Sequence, residues 1–123
     1  MTQSVFCLCP LGWTPWTLRF YQAIMARCIP VVIADNIEFP WENFLDYSQF
    51  SLKIPENQID SIVSVMRGIS AKERERKRQE MEKVWMMFTY QRPPQPGDAF
   101  FSVLRELTSK IRRFKTSSSH VWT

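Results

Sequence analysis

Residues Phe6 to Trp41 read FCLCPLGWTPWTLRFYQAIMARCIPVVIADNIEFPW, and the succession of residue types along them decides the fold. Val5 to Cys9 is an apolar run too short for a helix and stopped by Pro10. Ile29 to Ala34 is rich in β-branched residues and stops at Asp35 and Asn36. Both suit buried parallel strands. Between them lie a loop from Pro10 to Thr17 and a crossover helix that begins near Thr17. The expectation is a βαβ unit, whose ligands bind beyond the carboxyl ends of its strands. A helix starting at that loop aims unpaired main-chain N–H groups and its positive dipole end at a bound anion, most simply a phosphate. The loop holds the single glycine Gly12, so it matches neither GxGxxG nor GxxxxGK[ST].

Four pieces in unbroken order resemble the exostosin family of glycosyltransferases, especially its plant cell-wall branch. They are FCLCPLGWTPWTLRF, CIPVVIAD at Cys28 to Asp35, the FPW step at Phe39 to Trp41, and LDYSQFSLKIPE after it. They cover about the first half of the chain, and the helices beyond match in pattern only. The resemblance implies an inverting enzyme of GT-B type, in which two Rossmann-like domains close around a nucleotide sugar, usually a UDP-sugar, with no metal held by the protein. This chain is similar to most of the carboxyl-terminal, donor-binding domain: an α/β fold with a Rossmann-like parallel sheet flanked by helices, truncated.

Carried over by position, the resemblance makes Gly12, Trp13, Thr14, Thr17, Arg19 and Gln22 the donor-binding candidates. Gly12 would let the backbone approach the diphosphate, Arg19 would neutralise phosphate charge, and Gln22 would reach the ribose or diphosphate. Two positions depart from the family pattern: Gln22 replaces an acidic residue and Arg27 a small one. An amide still hydrogen-bonds a hydroxyl but without a carboxylate's charge or acceptor strength. Arg27 places a long cation just before a buried strand, where it must reach solvent or find a partner.

At 123 residues, with 45% hydrophobic and 14% aromatic content, the chain can build one core. Its net charge of +4 is modest and reads first as solubility. No apolar run reaches transmembrane length and no secretory signal opens the chain; beside the anchored, two-domain enzymes that the resemblance implies, it reads as a truncated product or partial gene model. Relatives of the family are typically Golgi proteins with an amino-terminal anchor. The three cysteines, odd in number, read first as buried free thiols; the only histidine, His120, sits in the polar tail, away from any metal set.

Downstream, Asp35 to Asp46 reads as a loop with a short turn at Trp41 to Leu45. Asp35, Asn36 and Glu38 are candidates to line the cleft, and Phe39 and Trp41 read as wall and core. Phe50 to Ile54 reads as a third strand. From Asn57 to Ile69 the residues Ile59, Ile62, Val63, Met66 and Ile69 recur at helical spacing and predict an amphipathic helix ending at Gly68. Ser70 and Glu73 form a capping box for a helix running to about Tyr90. Its run Lys72 to Arg78 interleaves glutamates, with Glu73 and Lys77 paired at i,i+4, and reads as a solvated face rather than a nucleic-acid patch. In domain terms, residues 1–91 form the partial nucleotide-sugar-binding unit, 92–97 a Pro-rich linker, 98–115 an amphipathic helix capped by Asp98 with Phe100, Leu104, Leu107, Ile111 and Phe114 on one stripe, and 116–123 a disordered tail.

The leading expectation is therefore the UDP-sugar donor-binding part of a glycosyltransferase building a cell-wall polysaccharide, with the glycan acceptor held by a missing amino-terminal domain. No catalytic base can be nominated, and activity of this chain alone is not expected. The alternative is a non-catalytic remnant that only folds, or associates with a related glycosyltransferase through an exposed sheet edge.

Overall fold

A computed structural model describes residues 3–14 and 16–115, with side chains described as far as residue 111. The tail expected from Thr116, which holds His120, lies outside the described residues, as do the side chains of Arg112, Arg113, Phe114 and Lys115. The chain forms two units, Met1–Trp85 and Met86–Thr123.

The first unit is built on three parallel strands, β1 (Phe6–Pro10), β2 (Ile29–Ile33) and β3 (Leu52–Ile54), in the spatial order β1-β2-β3. The register sets Phe6 beside Ile29 and Pro10 beside Ile33, then Val31 beside Leu52 and Ile33 beside Ile54. Helix α1 (Leu18–Met25) crosses from β1 to β2. Every residue of β2 is buried, as its unbroken apolar run predicts. β1 does not share that double burial: Cys7 and Cys9 face the core, whereas Leu8 and Pro10 are exposed. The period-two alternation appears because β1 is an edge strand among the described residues.

Each face of the sheet is covered by a different helix. Val31, Ile33 and Ile54 pack with Ile62 and Met66 of α2 (Ile62–Gly68). Cys7, Cys9 and Val32 point to the other face, where α1 buries Phe20, Ala23 and Ile24. The amphipathic helix expected from Asn57 begins only at Ile62, after a 3₁₀ stretch over Glu56–Ser61 in which Gln58 departs from helical geometry. Three residues per turn rotate the stripe out of line, so Ile59 and Val63 are exposed while Ile62 is buried.

Helix α3 (Ala71–Val84) starts as the capping signal predicts, with Ser70 Oγ accepting from Glu73 N–H at 3.2 Å. A 3₁₀ turn, Trp85–Phe88, continues it. Its charged run is not a solvated face throughout. Glu73 pairs with Arg76 at 2.6 Å rather than with Lys77. Lys77 is only 6% exposed and donates to the carbonyls of Ser48 at 2.6 Å and Ser51 at 3.1 Å. Arg74 lies over the Phe6 ring, 5.5 Å from its centre, and Glu82 pairs with Arg27 at 2.8 Å. Phe6, Arg27 and Ser51 all stand at or just before the start of a strand, so α3 crosses the amino ends of the sheet.

The three cysteines are not all free thiols. Cys7 and Cys28 form a disulfide with Cα atoms 5.7 Å apart, and Cys9 is the free, buried one. The turn after α1 brings them together. Cys28 N–H donates to Ala23 O and Arg27 N–H to Ile24 O, the paired bonds of a Schellman motif. Arg27 takes its left-handed position with φ +55°, where glycine is the usual residue. Left-handed backbone at a residue with a side chain, such as Arg27, is strained. Its guanidinium meets the other demand by staying largely exposed and pairing with Glu82.

In the second unit, Asp98 caps α4 (Ala99–Lys115) as expected, accepting from Phe101 N–H at 3.1 Å and Gln95 N–H at 2.9 Å. Burial works to raise its pKa, but bonds from the N–H groups of Gln95, Phe101, Gln91 and Phe100 leave it below the ordinary aspartate value. Phe100, Leu104, Leu107 and Ile111 of the expected stripe are all exposed.

Burial pushes the Cys9 thiol up to about 11, with weaker opposing effects from a Val31 main-chain hydrogen bond and the Arg19 charge. Iodoacetamide at neutral pH should therefore label no cysteine in the native chain, one after unfolding without reductant, and three after unfolding with reductant, read by mass spectrometry. Three labels without reductant would remove the disulfide. Closing a loop of 21 residues, the bond should contribute about 3 kcal/mol, lost in the Cys7→Ala/Cys28→Ala double variant.

Candidate functional site

Loops 11–17 and 34–46 leave the carboxyl ends of β1 and β2, and the 3₁₀ stretch follows β3. The last two are tied together where Asp35 Oδ1 accepts from Glu56 N–H at 3.1 Å, beside the bond from Ala34 N–H to Ile54 O at 3.3 Å. Asp35 thus joins the ends of β2 and β3. Asn36 and Glu38 are exposed, and Glu42 Oε1 caps the Phe39 N–H at 2.8 Å. Phe39 is core, as expected: it stacks on Phe20 at 4.3 Å and on Tyr47 at 5.3 Å. Trp41, with φ +68°, stacks on Phe44 at 6.1 Å in the expected turn, where Leu45 N–H donates to Trp41 O. Tyr47 completes the aromatic cluster and donates to Pro40 O; burial drives its phenol far above the usual tyrosine value, with smaller contributions from Tyr21 and Glu42.

The loop after β1 folds on itself. Gly12 N–H donates to Trp16 O at 3.2 Å and Trp16 N–H to Thr14 O at 2.6 Å. A Cβ on Gly12 would lie 2.9 Å from Trp16 O, so the glycine is required by the loop's own closure, whatever else approaches it. Trp13 and Thr14 project into solvent, and the Trp16 ring lies 6.3 Å from that of Tyr21.

Thr17 stands at the N-cap of α1, buried, with extended backbone and no side-chain bond to the helix N–H groups. The first turn carries no acidic residue. Among the described residues, the N-cap side chain therefore leaves the N–H groups of this first turn uncapped. Arg19 sits in that first turn, exposed, with its charge near the Cys9 thiol at the end of β1. Gln22 follows three residues on and shares its side of the helix, also exposed. The structure so brings Gly12, Thr14, Thr17 and Arg19 to one corner of the sheet, with Gln22 one turn along α1 and Trp13 at the loop's outer tip.

A three-stranded parallel sheet with helices on its faces and loops at its carboxyl edge makes a small α/β unit consistent with a Rossmann-like form. The Exostosin GT47 domain matches residues 1–69, and the chain belongs to that family. A probable glucuronosyltransferase of Oryza sativa subsp. japonica is 33% identical over 113 residues, covering 90% of this chain and 27% of that protein. The probable beta-1,4-xylosyltransferase IRX10 of Arabidopsis thaliana is 32% identical over 118 residues, 94% of this chain and 29% of that protein. Another rice relative, the probable glucuronosyltransferase GUT1, is 33% identical over 113 residues. The chain thus spans less than a third of the length of these relatives. No helix among the described residues is long and apolar enough to cross a membrane.

Because Trp16 O leaves no room for a methyl group, Gly12→Ala should break the Gly12–Trp16 bond and open the loop. Amide hydrogen exchange is expected to accelerate at position 12 while Val31 and Val32 keep their protection. Unchanged exchange at position 12 would show that the loop is not closed in this way.

Proposed function

We propose that this chain is the nucleotide-sugar donor-binding part of an inverting glycosyltransferase of GT-B architecture, which takes a UDP-sugar and extends a cell-wall glycan in the Golgi. The observation that carries the reading is the uncapped start of α1 beside loop 11–17, with Arg19 in its first turn, at the carboxyl edge of a parallel sheet. Helix N–H groups and a guanidinium together suit a diphosphate, as ligand and then as leaving group. Gln22 then reaches the ribose. The names of the rice and Arabidopsis relatives, glucuronosyl- and xylosyltransferases, support UDP-glucuronate or UDP-xylose as the donor. The Cys7–Cys28 disulfide supports residence in an oxidising lumen such as that of the secretory pathway.

A second reading, a non-catalytic relative that folds without turning over substrate or pairs with an active one, is favoured by Gln22, which supplies an amide where the family carries an acid. Calorimetry separates the two. Titration with UDP, UDP-xylose and UDP-glucuronate should give heat and a thermal shift. Arg19→Ala should weaken UDP by about tenfold or more, the size of a lost charge-assisted phosphate contact. Arg67→Ala, at an exposed position on α2, should leave it unchanged. Absence of heat with every nucleotide would favour the second reading, and equal effects of the two variants would remove Arg19 from the site.

A further inference from the structure

A cavity lies beside β3, against the segment that precedes it. It has a volume of about 860 Å³, opens to solvent, and is lined among others by Phe44, Tyr47, Ser48, Lys53 and Lys77. That volume falls in the range of small-molecule sites, roughly 300–1,000 Å³. Its walls come from the segment before β3, from β3 itself and from α3, which crosses the amino ends of the strands. None of its lining residues belongs to the loop after β1.

The charges of this cavity are unevenly satisfied. It holds two carboxylates and two ammonium groups. Both carboxylates are occupied by the chain's own donors. Glu42 accepts from Phe39 N–H at 2.8 Å, and Asp46 accepts from Ser48 N–H at 3.0 Å, Ser48 Oγ at 2.6 Å and Gln49 Nε2 at 2.9 Å. Glu73, the next carboxylate along α3, is taken by Arg76. Neither ammonium group is paired with an acid in this way. Lys77, 6% exposed, spends two of its three donors on the carbonyls of Ser48 and Ser51, which carry no formal charge. Lys53 is exposed on β3 and makes no hydrogen bond or ion pair among the described residues. Burial holds the Lys77 ammonium below its usual pKa, with smaller effects from Glu73, Arg76 and Asp46, and an anion arriving beside it would relieve that.

We propose that this cavity is a second binding site, for the carboxylate of an acidic sugar, with Lys77 and Lys53 holding the carboxylate. Phe44 and Tyr47 supply apolar wall for a pyranose ring, and Ser48 and Ser51 line its polar side. The proposal extends the glycosyltransferase reading: it rests on the saccharide chemistry of the family, but not on the donor loop. Such a site would hold an acid-bearing glycan chain between additions.

Backbone amide shifts during titration with D-glucuronate, D-glucose and inorganic phosphate test it. Glucuronate is expected to shift residues 42–53 and 77 and to bind about fivefold or more tightly than glucose, the size of one partly exposed ion pair. Lys53→Ala, an exposed substitution that leaves the fold intact, should weaken glucuronate to a similar extent, and Lys77→Met should abolish its binding. Lys53→Ala should leave UDP binding unchanged, whereas Arg19→Ala should weaken UDP and leave glucuronate unchanged, so failure of one site is distinguishable from failure of the other. The proposal is overturned if glucuronate binds no more tightly than glucose, if phosphate matches it at the same residues, or if Lys53→Ala leaves its affinity unaltered.

Discussion

Five residues, Ile29 to Ile33, must be dry on both faces, and Val31 to Ile33 are paired with a strand on either side; the other elements of the first unit are placed by that demand. β1 and β3 satisfy the hydrogen bonds, α1 covers one face and α2 the other. A parallel sheet gains its stability from being enclosed in this way rather than from its ladders alone. The disulfide reinforces the same arrangement, since it joins β1 to the residue that precedes β2 and so fixes the start of both strands.

Enclosing β2 makes the two ends of the sheet chemically different. At the amino ends, α3 lies across the strands and uses its charged side chains as clasps: Arg74 on Phe6, Lys77 on the turn before β3, and Glu82 on Arg27. At the carboxyl ends no α-helix of the first unit lies across the strands among the described residues. There the chain leaves loops, an uncapped helix start and exposed Arg19, while the Phe20, Phe39, Tyr47 and Phe50 cluster underpins them. A rigid floor beneath a polar, open edge is what lets a small loop present its N–H groups in a defined direction.

Much of this was legible in the residues. The change from a β-branched run to helical spacing and back gave the βαβ order, and Ser70 and Asp98 marked their helix starts because capping is a local interaction between near neighbours. What escaped depended on contacts across the fold. Cys7 and Cys28 carry no spacing signal of a pair, and they meet only because a Schellman turn with Arg27 in the left-handed region returns the chain beneath β1. Lys77 reads as part of a solvated run, and its burial follows from the carbonyls of Ser48 and Ser51, nearly thirty residues earlier in the chain. The stripe through Ile59 failed because a 3₁₀ stretch occupies its first turn. At the candidate site the close approach of the Trp16 carbonyl to Gly12 was likewise hidden, because it depends on how the loop closes on itself.

The central claim is that the turn between β1 and α1 receives a nucleotide diphosphate. The most direct measurement is a map of backbone amide shifts as UDP is added to the folded chain. The account predicts that the largest changes fall on Gly12, Thr14, Thr17, Leu18 and Arg19, decaying along α1 past Gln22. Shifts confined to residues 42–53 and α3, or none at all at millimolar UDP, would contradict it.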